Sequence, residues 1–238
     1  MLFDLNGTLI DSPAWTSPSP ASAAARLAAA ELHPTLLWLL LLVLAYLLGS
    51  VPTGLWLGKL VAGVDVRQEG SHKTGATNVL RVLGVRAGVA VAALDVLKGV
   101  VAVLAVQAVT QDAYFAAVAG VIAIIGHIWP IFAGFNGGRG VSTTAGAILA
   151  LAPLPFLGAF VVMAVAVLLT RYVSLGSIAS AYAVGPLAAL FLGRGPESDA
   201  VLIVALLGGG LVALKHADNL HRLLHGKERR IGGKTATS

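Results

Sequence analysis

Gly70-Ser-His-Lys-Thr-Gly-Ala-Thr-Asn-Val-Leu-Arg81 is a polar, glycine-punctuated island in a chain that is otherwise apolar. It supplies hydroxyls from Ser71, Thr74 and Thr77, the amide of Asn78, and two fixed cations, Lys73 and Arg81. Successive backbone N–H groups in a Gly/Ser/Thr loop form concavities that hold anions. An arginine adds a planar fork that matches phosphate. The stretch therefore reads as a phosphate grip, and the apolar sequence around it fixes where that grip sits.

The surroundings are those of a membrane protein. Of 238 residues, 57% are hydrophobic and only 11% charged, and the mean hydropathy is +0.87. Soluble domains carry about 25% charged residues, so most of this chain has no water to face. The 28 glycines suit closely packed membrane helices. With no cysteine, disulfides, thiolate catalysis and Cys-based metal sites are excluded. The net charge of +5 is not a nucleic-acid signature in such a chain, because its cations first have to be placed relative to the spans.

Apolar runs flank the polar stretch on both sides. Leu36 to Leu57 forms a first span, interrupted at Gly49-Ser-Val-Pro-Thr-Gly54. Such a break is tolerated at membrane depth only where protein or a water-filled cavity receives the freed backbone groups, so it is expected to face a site. Lys59 to Gly84 is read as a polar loop. Val85 to Val109 is a second span carrying Asp95 and Lys98, which share a helix face at i,i+3. An ionisable pair at that depth points inward, either to orient helices or to support a phosphate site from behind; the two readings stand level. Tyr114 to Phe132 is a third span. Val141 to Thr170 is longer than one crossing needs and holds Pro153 and Pro155, so it divides near Pro153 into a fourth and a fifth. Arg171 to Leu175 is a turn, Gly176 to Leu192 a sixth span, Gly193 to Asp199 a turn and Ala200 to Leu214 a seventh. A basic tail follows from Lys215.

Charge placement supports this count. With the segment after the first span inside, thirteen of the sixteen Lys and Arg lie on the cytoplasmic side, as the positive-inside rule requires. The expected fold is an all-α integral membrane protein with seven transmembrane helices, N-terminus outside and C-terminus inside. Four polar segments, 59–84, 134–144, 171–175 and 215 onward, then share the cytoplasmic face of the cell's inner (plasma) membrane. Residues 35–232 are expected to form this domain and 233–238 a short tail. Residues 1–34 are expected to be an extension: Asp4-Leu-Asn-Gly-Thr8 is similar to the first motif of haloacid dehalogenase-like phosphatases. Asn6 stands where that motif has its second Asp, and no soluble α/β domain follows, so a remnant or a start-site artefact is the reading.

A second anion nest is Gly137-Gly138-Arg139-Gly140, with a helix start directly behind it. Walker A, Gly-x-Ser-x-Gly and His-x4-Asp patterns are absent, which argues against ATP use and against a serine or histidine acyl-transfer triad. Ser71, Ser142 and Ser174 are the remaining hydroxyl nucleophiles, and His127 or His216 the remaining bases. On spacing alone both histidines read as caps of span ends.

Taken in order, Gly49–Gly54, Asp65-Val-Arg-x-x-Gly-Ser71, Gly75-Ala-Thr-Asn-Val-Leu-Arg81, Asp95-Val-Leu-Lys-Gly99, Gly126-His-Ile-Trp-Pro130, Gly137–Val141, Arg171-Tyr-Val-Ser-Leu175 and His216-x-x-Asn219 resemble the bacterial acyl-phosphate:glycerol-3-phosphate acyltransferases. The resemblance runs from about Leu36 to Gly232. It implies seven spans, and transfer of a fatty acyl group from acyl phosphate to the 1-hydroxyl of glycerol 3-phosphate, giving lysophosphatidic acid and phosphate. It implies that Ser71, Arg81, Arg139, His216 and Asn219 carry the reaction and that Thr77, Asn78, Gly137, Gly138, Gly140 and Ser174 bind substrate, with Asp95 and Lys98 behind them. No cofactor or metal is implied, and no oligomeric state follows. The chain departs from the family pattern at His72-Lys73 (Gly-Asn), at Arg139 (Lys) and at Ala217 (Arg). The competing expectation from the residues is a membrane transporter of a phosphorylated metabolite, which also needs cationic nests; the absence of an internal repeat argues against it.

Overall fold

The computed structural model describes residues 34–232. The extension read over 1–34, Pro34 aside, and the tail 233–238 lie outside the described residues. Among the described residues every regular element is helical: α1 (Pro34–Ser50), α2 (Thr53–Ala62), α3 (Ala76–Leu83), α4 (Val85–Thr110), α5 (Ala113–Ile128), α6 (Val141–Leu151), α7 (Pro153–Thr170), α8 (Val173–Leu192), α9 (Pro196–Ile203), α10 (Gly209–Lys215) and α11 (Ala217–Leu224). A 3-10 turn, Ile131–Ala133, follows α5, and a π-helical stretch, Val204–Gly208, joins α9 to α10.

Among the described residues six helical stretches are long and apolar enough to cross a bilayer: Thr35–Ala62, Val85–Thr110, Ala113–Ala133, Pro153–Thr170, Val173–Leu192 and Pro196–Lys215. The region 141–170 is indeed two helices. Ala152 leaves helical geometry at φ −154°, ψ 89°, and Pro153 opens α7, where its missing N–H costs nothing. The first of the two, α6, has 11 residues and so rises about 16 Å, well short of a full hydrocarbon core.

The core forms around α5. Its Ala116, Ala117, Ala119, Ala123 and Ile124 are fully buried, with α1 on one side and α4, α6 and α9 on the others. Small residues set the approach of these helices. A Cβ on Gly146 of α6 would lie 2.0 Å from the Val96 carbonyl oxygen of α4, and one on Gly99 of α4 would lie 2.2 Å from that of Thr143. Backbone cannot yield as a side chain does, so Gly146→Ala is expected to push α4 and α6 apart. A lowered detergent melting temperature, by several degrees, is the measurement that checks this. On the spanning helices many exposed side chains are large and apolar, such as Leu168 at 79%, Leu169 at 80% and Leu190 at 73%. Lipid, not water, is the solvent such a surface requires.

The break in the first span is received as its sequence suggests. α1 ends at Ser50 and α2 begins at Thr53. The Val51 carbonyl, lying between the two helices, accepts from the Thr53 N–H at 3.0 Å and from Lys98 Nζ at 2.7 Å. Thr53 Oγ1 donates to Asp95 Oδ1 at 2.6 Å. Lys98 and Asp95 are themselves paired at 2.6 Å, with side chains only 5% and 1% exposed. The pair therefore ties the broken helix to α4.

Several boundaries differ from the sequence reading. The stretch 59–84 is not all loop: Ala76–Leu83 is helical, because Gly75 starts it in extended geometry and Gly84, at φ +88°, stops it. α8 begins at Val173, so Ser174 sits in a first helical turn and not in the 171–175 turn. α9 begins at Pro196, which takes the N1 position after Gly195 and shortens the expected 193–199 turn.

Candidate functional site

A cavity of about 300 Å³ opens where the four polar segments converge. Its polar wall includes Ser71, Lys73, Thr77, Arg81, Arg139 and Ser142, and its apolar wall includes Val89, Met163 and Val167.

The first wall is built by folding 66–81 around one amide. Asn78 accepts from the Ser71 N–H at 2.7 Å and donates to the carbonyls of Val66 (2.7 Å), Glu69 (3.1 Å) and Lys73 (2.9 Å). Both its oxygen and its nitrogen are thus committed to the loop's own backbone. Asn78, expected to bind phosphate, lines the cavity but serves as the clasp of the loop. That clasp leaves Ser71, Thr77 and Arg81 facing the space, with the start of α3 at Gly75 and Ala76 beside them. On the loop's outer side Asp65 pairs with Arg67 at 2.7 Å. The Arg67 guanidinium holds the Asp65 carboxyl down to about 2, and its Nη1 donates to the Ala133 carbonyl at 3.0 Å.

The second wall rests on His127. At the end of α5 this residue is 6% exposed, and its Nδ1 lies 3.6 Å from Asp95 Oδ1. Its Nε2 would be 2.1 Å from a Cβ on Gly138, and its carbonyl 2.2 Å from one on Gly137. The Gly138 N–H donates to that same carbonyl at 3.1 Å. Gly137 and Gly138, expected to touch substrate, are therefore not cavity wall. They let the nest lie flat on His127. Arg139 and Gly140 do line the cavity, and Gly140, at φ +86°, turns the chain into α6. The Arg139 Nε is buried without a partner. Burial, and then repulsion from Arg222, pushes the Arg139 pKa below its ordinary value. Burial followed by Arg229 does the same to Arg81. Guanidinium stays charged regardless, so the cavity holds cationic demand that an anion would meet.

The third wall comes from the C-terminal segments. Glu228 reaches back and accepts from Ser174 Oγ at 2.9 Å, Asn219 Nδ2 at 2.7 Å and Arg222 Nε at 2.9 Å. The strap carrying it is held by Arg229 Nη1 to the Gly70 carbonyl at 2.8 Å and by the Ile231 N–H to the Arg171 carbonyl at 2.9 Å. Asn219 keeps its Oδ1 buried and unpartnered.

His216, between α10 and α11, is 3% exposed. Its Nδ1 lies 2.7 Å from the Val212 carbonyl. A carbonyl only accepts, so Nδ1 carries the proton and Nε2 is a free acceptor. Burial lowers its pKa to about 4 from the usual 6.5, so the ring is neutral at pH 7. The unfolded chain takes a proton near pH 6.5 that the folded one refuses until about 4. The stability His216 contributes is thus whole above 6.5 and is lost as pH falls towards 4. On this group's account kcat/KM should stay level from pH 7 to 5. A steady-state profile with an acid limb near 6.5 that His216→Gln removes would contradict it.

The structure thus gathers Ser71, Thr77, Arg81, Arg139, Gly140, Ser174, His216 and Asn219 around one space, with Asp95 at its base. Lys98 stays behind the wall on Val51. On spacing, His127, though a candidate base, reads as a span-end cap, and nothing in the sequence reading singles out Glu228. The one signal for Glu228 was a lone acid among Lys227, Arg229 and Arg230.

Known proteins match this chain in sequence and in fold. The family model described as Glycerol-3-phosphate acyltransferase matches residues 39–226. The chain is 43% identical over 199 residues to glycerol-3-phosphate acyltransferase 2 of Moorella thermoacetica, covering 84% of this chain and 100% of that protein. It is 44% identical over 196 residues to the glycerol-3-phosphate acyltransferase of Listeria monocytogenes, covering 81% and 96%. Among solved structures it matches PlsY (YgiH), an integral membrane glycerol 3-phosphate acyltransferase. The glycerol 3-phosphate form gives a TM-score of 0.75 at 40% identity, covering 82% of this chain and 96% of that one. The lysophosphatidic acid form gives 0.73 at 40% identity, covering 81% and 94%. This chain is a multi-pass integral membrane acyltransferase and belongs to the glycerol-3-phosphate acyltransferase family.

Proposed function

We propose that the chain moves a fatty acyl group from acyl phosphate to the 1-hydroxyl of glycerol 3-phosphate, releasing lysophosphatidic acid and inorganic phosphate. The observation that carries this reading is the pairing of Arg81 and Arg139. They come from two separate glycine-bearing segments and share one cavity whose lining also includes the apolar Val89, Met163 and Val167. Two small anions and a greasy chain are what such a space accepts. The relatives whose solved forms hold glycerol 3-phosphate and lysophosphatidic acid are consistent with the acceptor and the product.

In this mechanism the donor is already activated, so no enzyme-bound acyl group is required. The acceptor oxygen attacks the acyl carbon, and the bond from that carbon to the phosphate oxygen breaks. The electron pair leaves with phosphate, which also takes the hydroxyl proton. Arg81 and Arg139 stabilise the charge gathering on the departing group. Ser71, Thr77, Ser174 and Asn219 position the two phosphates and the glycerol hydroxyls, and the neutral His216 Nε2 accepts the hydrogen bond that aims the attacking hydroxyl. Holding both reactants this way is worth about 7–11 kcal/mol. Asn78, Gly137 and Gly138 act at one remove, by shaping the two loops.

The orientation proposed is N-terminus outside and C-terminus inside, with the site on the cytoplasmic side of the plasma membrane. The concentration of Lys and Arg on the segments forming the cavity supports it. α6 then completes a seventh crossing in spite of its length, because the loop before it descends beside the end of α5, where Gly138 bonds to His127. The test is phosphate release from acyl phosphate, with and without glycerol 3-phosphate, by the full chain in detergent. Release dependent on glycerol 3-phosphate is expected. A protein that binds both compounds and releases no phosphate would be a carrier.

A further inference from the structure

We propose, resting on the acyl-transfer reading above, that Lys73 is a third phosphate-binding cation of the cavity, one that captures glycerol 3-phosphate and sets the affinity for it. The loop aims this side chain by fixing the backbone around it. Asn78 Oδ1 accepts from the Ser71 N–H at 2.7 Å, and its Nδ2 donates to the Lys73 carbonyl at 2.9 Å. His72, between them, is held in the left-handed region at φ +57°. Its N–H donates to the Glu69 carbonyl at 3.1 Å. Its Nδ1 lies 3.0 Å from the Arg67 carbonyl, which only accepts, so that nitrogen carries the proton. The kink leaves His72 exposed and puts Ser71 and Lys73 together in the cavity lining. The family pattern has Gly-Asn where this chain has His72-Lys73, so the turn persists without glycine and the added cation is this chain's own.

What Lys73 lacks points to its ligand. Among the described residues its ammonium has no hydrogen-bond or ion-pair partner, whereas Arg67 and Arg222 are paired with Asp65 and Glu228. The charge it does act on is another cation. Lys73 repels Lys215, whose own ammonium rests 4.3 Å from the centroid of the Trp129 ring. Two lysines set against each other, neither paired with a carboxylate, make a seat for an anion. Charge balance asks for the same thing. A phosphate group of this kind carries about −1.5 to −2 near neutral pH, so donor and acceptor together bring about −3 to −4. Glu228 cancels Arg222, which leaves Arg81 and Arg139 to face them, and Lys73 supplies the third positive charge in the lining. The acceptor is the substrate that suits it. Glycerol 3-phosphate has no apolar part and arrives through water, and Lys73 stands beside the exposed Glu69, Gly70 and His72. A hydrated ammonium on a flexible stem suits capture, while the planar forks of Arg81 and Arg139 suit charge that gathers in the transition state. Lys73 therefore acts on KM rather than on kcat.

The experiment is steady-state phosphate release by the full chain in detergent, with each substrate varied in turn, for the parent, Lys73→Asn and Lys73→Arg. Lys73→Asn should raise KM for glycerol 3-phosphate about tenfold, or about 1.4 kcal/mol. It should leave kcat and the KM for acyl phosphate within about twofold of the parent. Lys73→Arg keeps the charge and should stay near the parent. A parental KM for glycerol 3-phosphate in Lys73→Asn, a rise confined to acyl phosphate, or a fall in kcat alone would overturn the proposal. A parent whose phosphate release does not depend on glycerol 3-phosphate sinks the acyl-transfer reading instead, so the two failures are distinct. Should Lys73→Asn fail to fold, the unaltered chain decides. Glycerol 3-phosphate should slow acetylation of Lys73 several-fold, read by mass spectrometry, and glycerol should not. Acetylation of Lys73 at an unchanged rate, or slowed equally by glycerol, would remove this residue from the site.

Discussion

Arg139→Ala is expected to lower kcat/KM for phosphate release by 10²–10³-fold or more, with little change in melting temperature. The guanidinium is half-buried in the cavity and its Nε has no protein partner, so removing it frees no other group to go unsatisfied. What disappears is charge aimed at the departing phosphate, and one such donor is worth about 2.7–4 kcal/mol in other acyl-transfer sites. Arg139→Lys separates charge from shape. It restores the cation but not the planar fork, and should recover most of the lost rate if charge dominates. Steady-state kinetics in detergent check both. An Arg139→Ala enzyme at parental rate would remove this nest from the mechanism.

Asp95→Ala should do the opposite and strike the fold first. Asp95 accepts from Thr53 and pairs with Lys98, and it lies within ion-pair reach of His127. Deleting it leaves the Lys98 ammonium buried without its counter-charge. Breaking such a pair costs about 3–5 kcal/mol, which for a chain of this size lowers the melting temperature by roughly 10 °C. Asp95→Leu combined with Lys98→Met removes both charges and should regain much of that stability. It would still lack the group that holds α2 and His127 in place, so activity should remain low. If the single variant melts like the parent, the network contributes no stability and its place at the cavity base needs another explanation.

These two residues mark the limit of what local sequence reveals. Asp95 and Lys98 were legible as an inward-facing pair, since charge at membrane depth has few tolerable positions. Spacing leaves bracing helices and backing a site level; in the fold both residues tie the broken first helix to α4, and Asp95 also lines the cavity. Asn78 shows the converse. Its type and loop suggested a phosphate ligand, yet four backbone groups of its own segment claim it. Gly137 and Gly138 likewise looked like nest and turned out to be clearance for His127. His127 read as a span-end cap because the residues it meets, Asp95 and Gly138, are distant or featureless in sequence.

The sequence by itself determined the helical membrane body, the division at Pro153, the interruption at Pro52 and the gathering of cationic glycine loops into one place. Those follow from local physics: hydrocarbon admits only backbone that bonds to itself, and proline and charge are costly in it wherever they occur. Tertiary structure alone decided which polar atoms face the cavity and which are consumed by the fold. Partner choice for a hydrogen bond depends on distances between helices far apart in the chain, and these are set by side-chain volumes summed across whole interfaces, a quantity no single stretch contains.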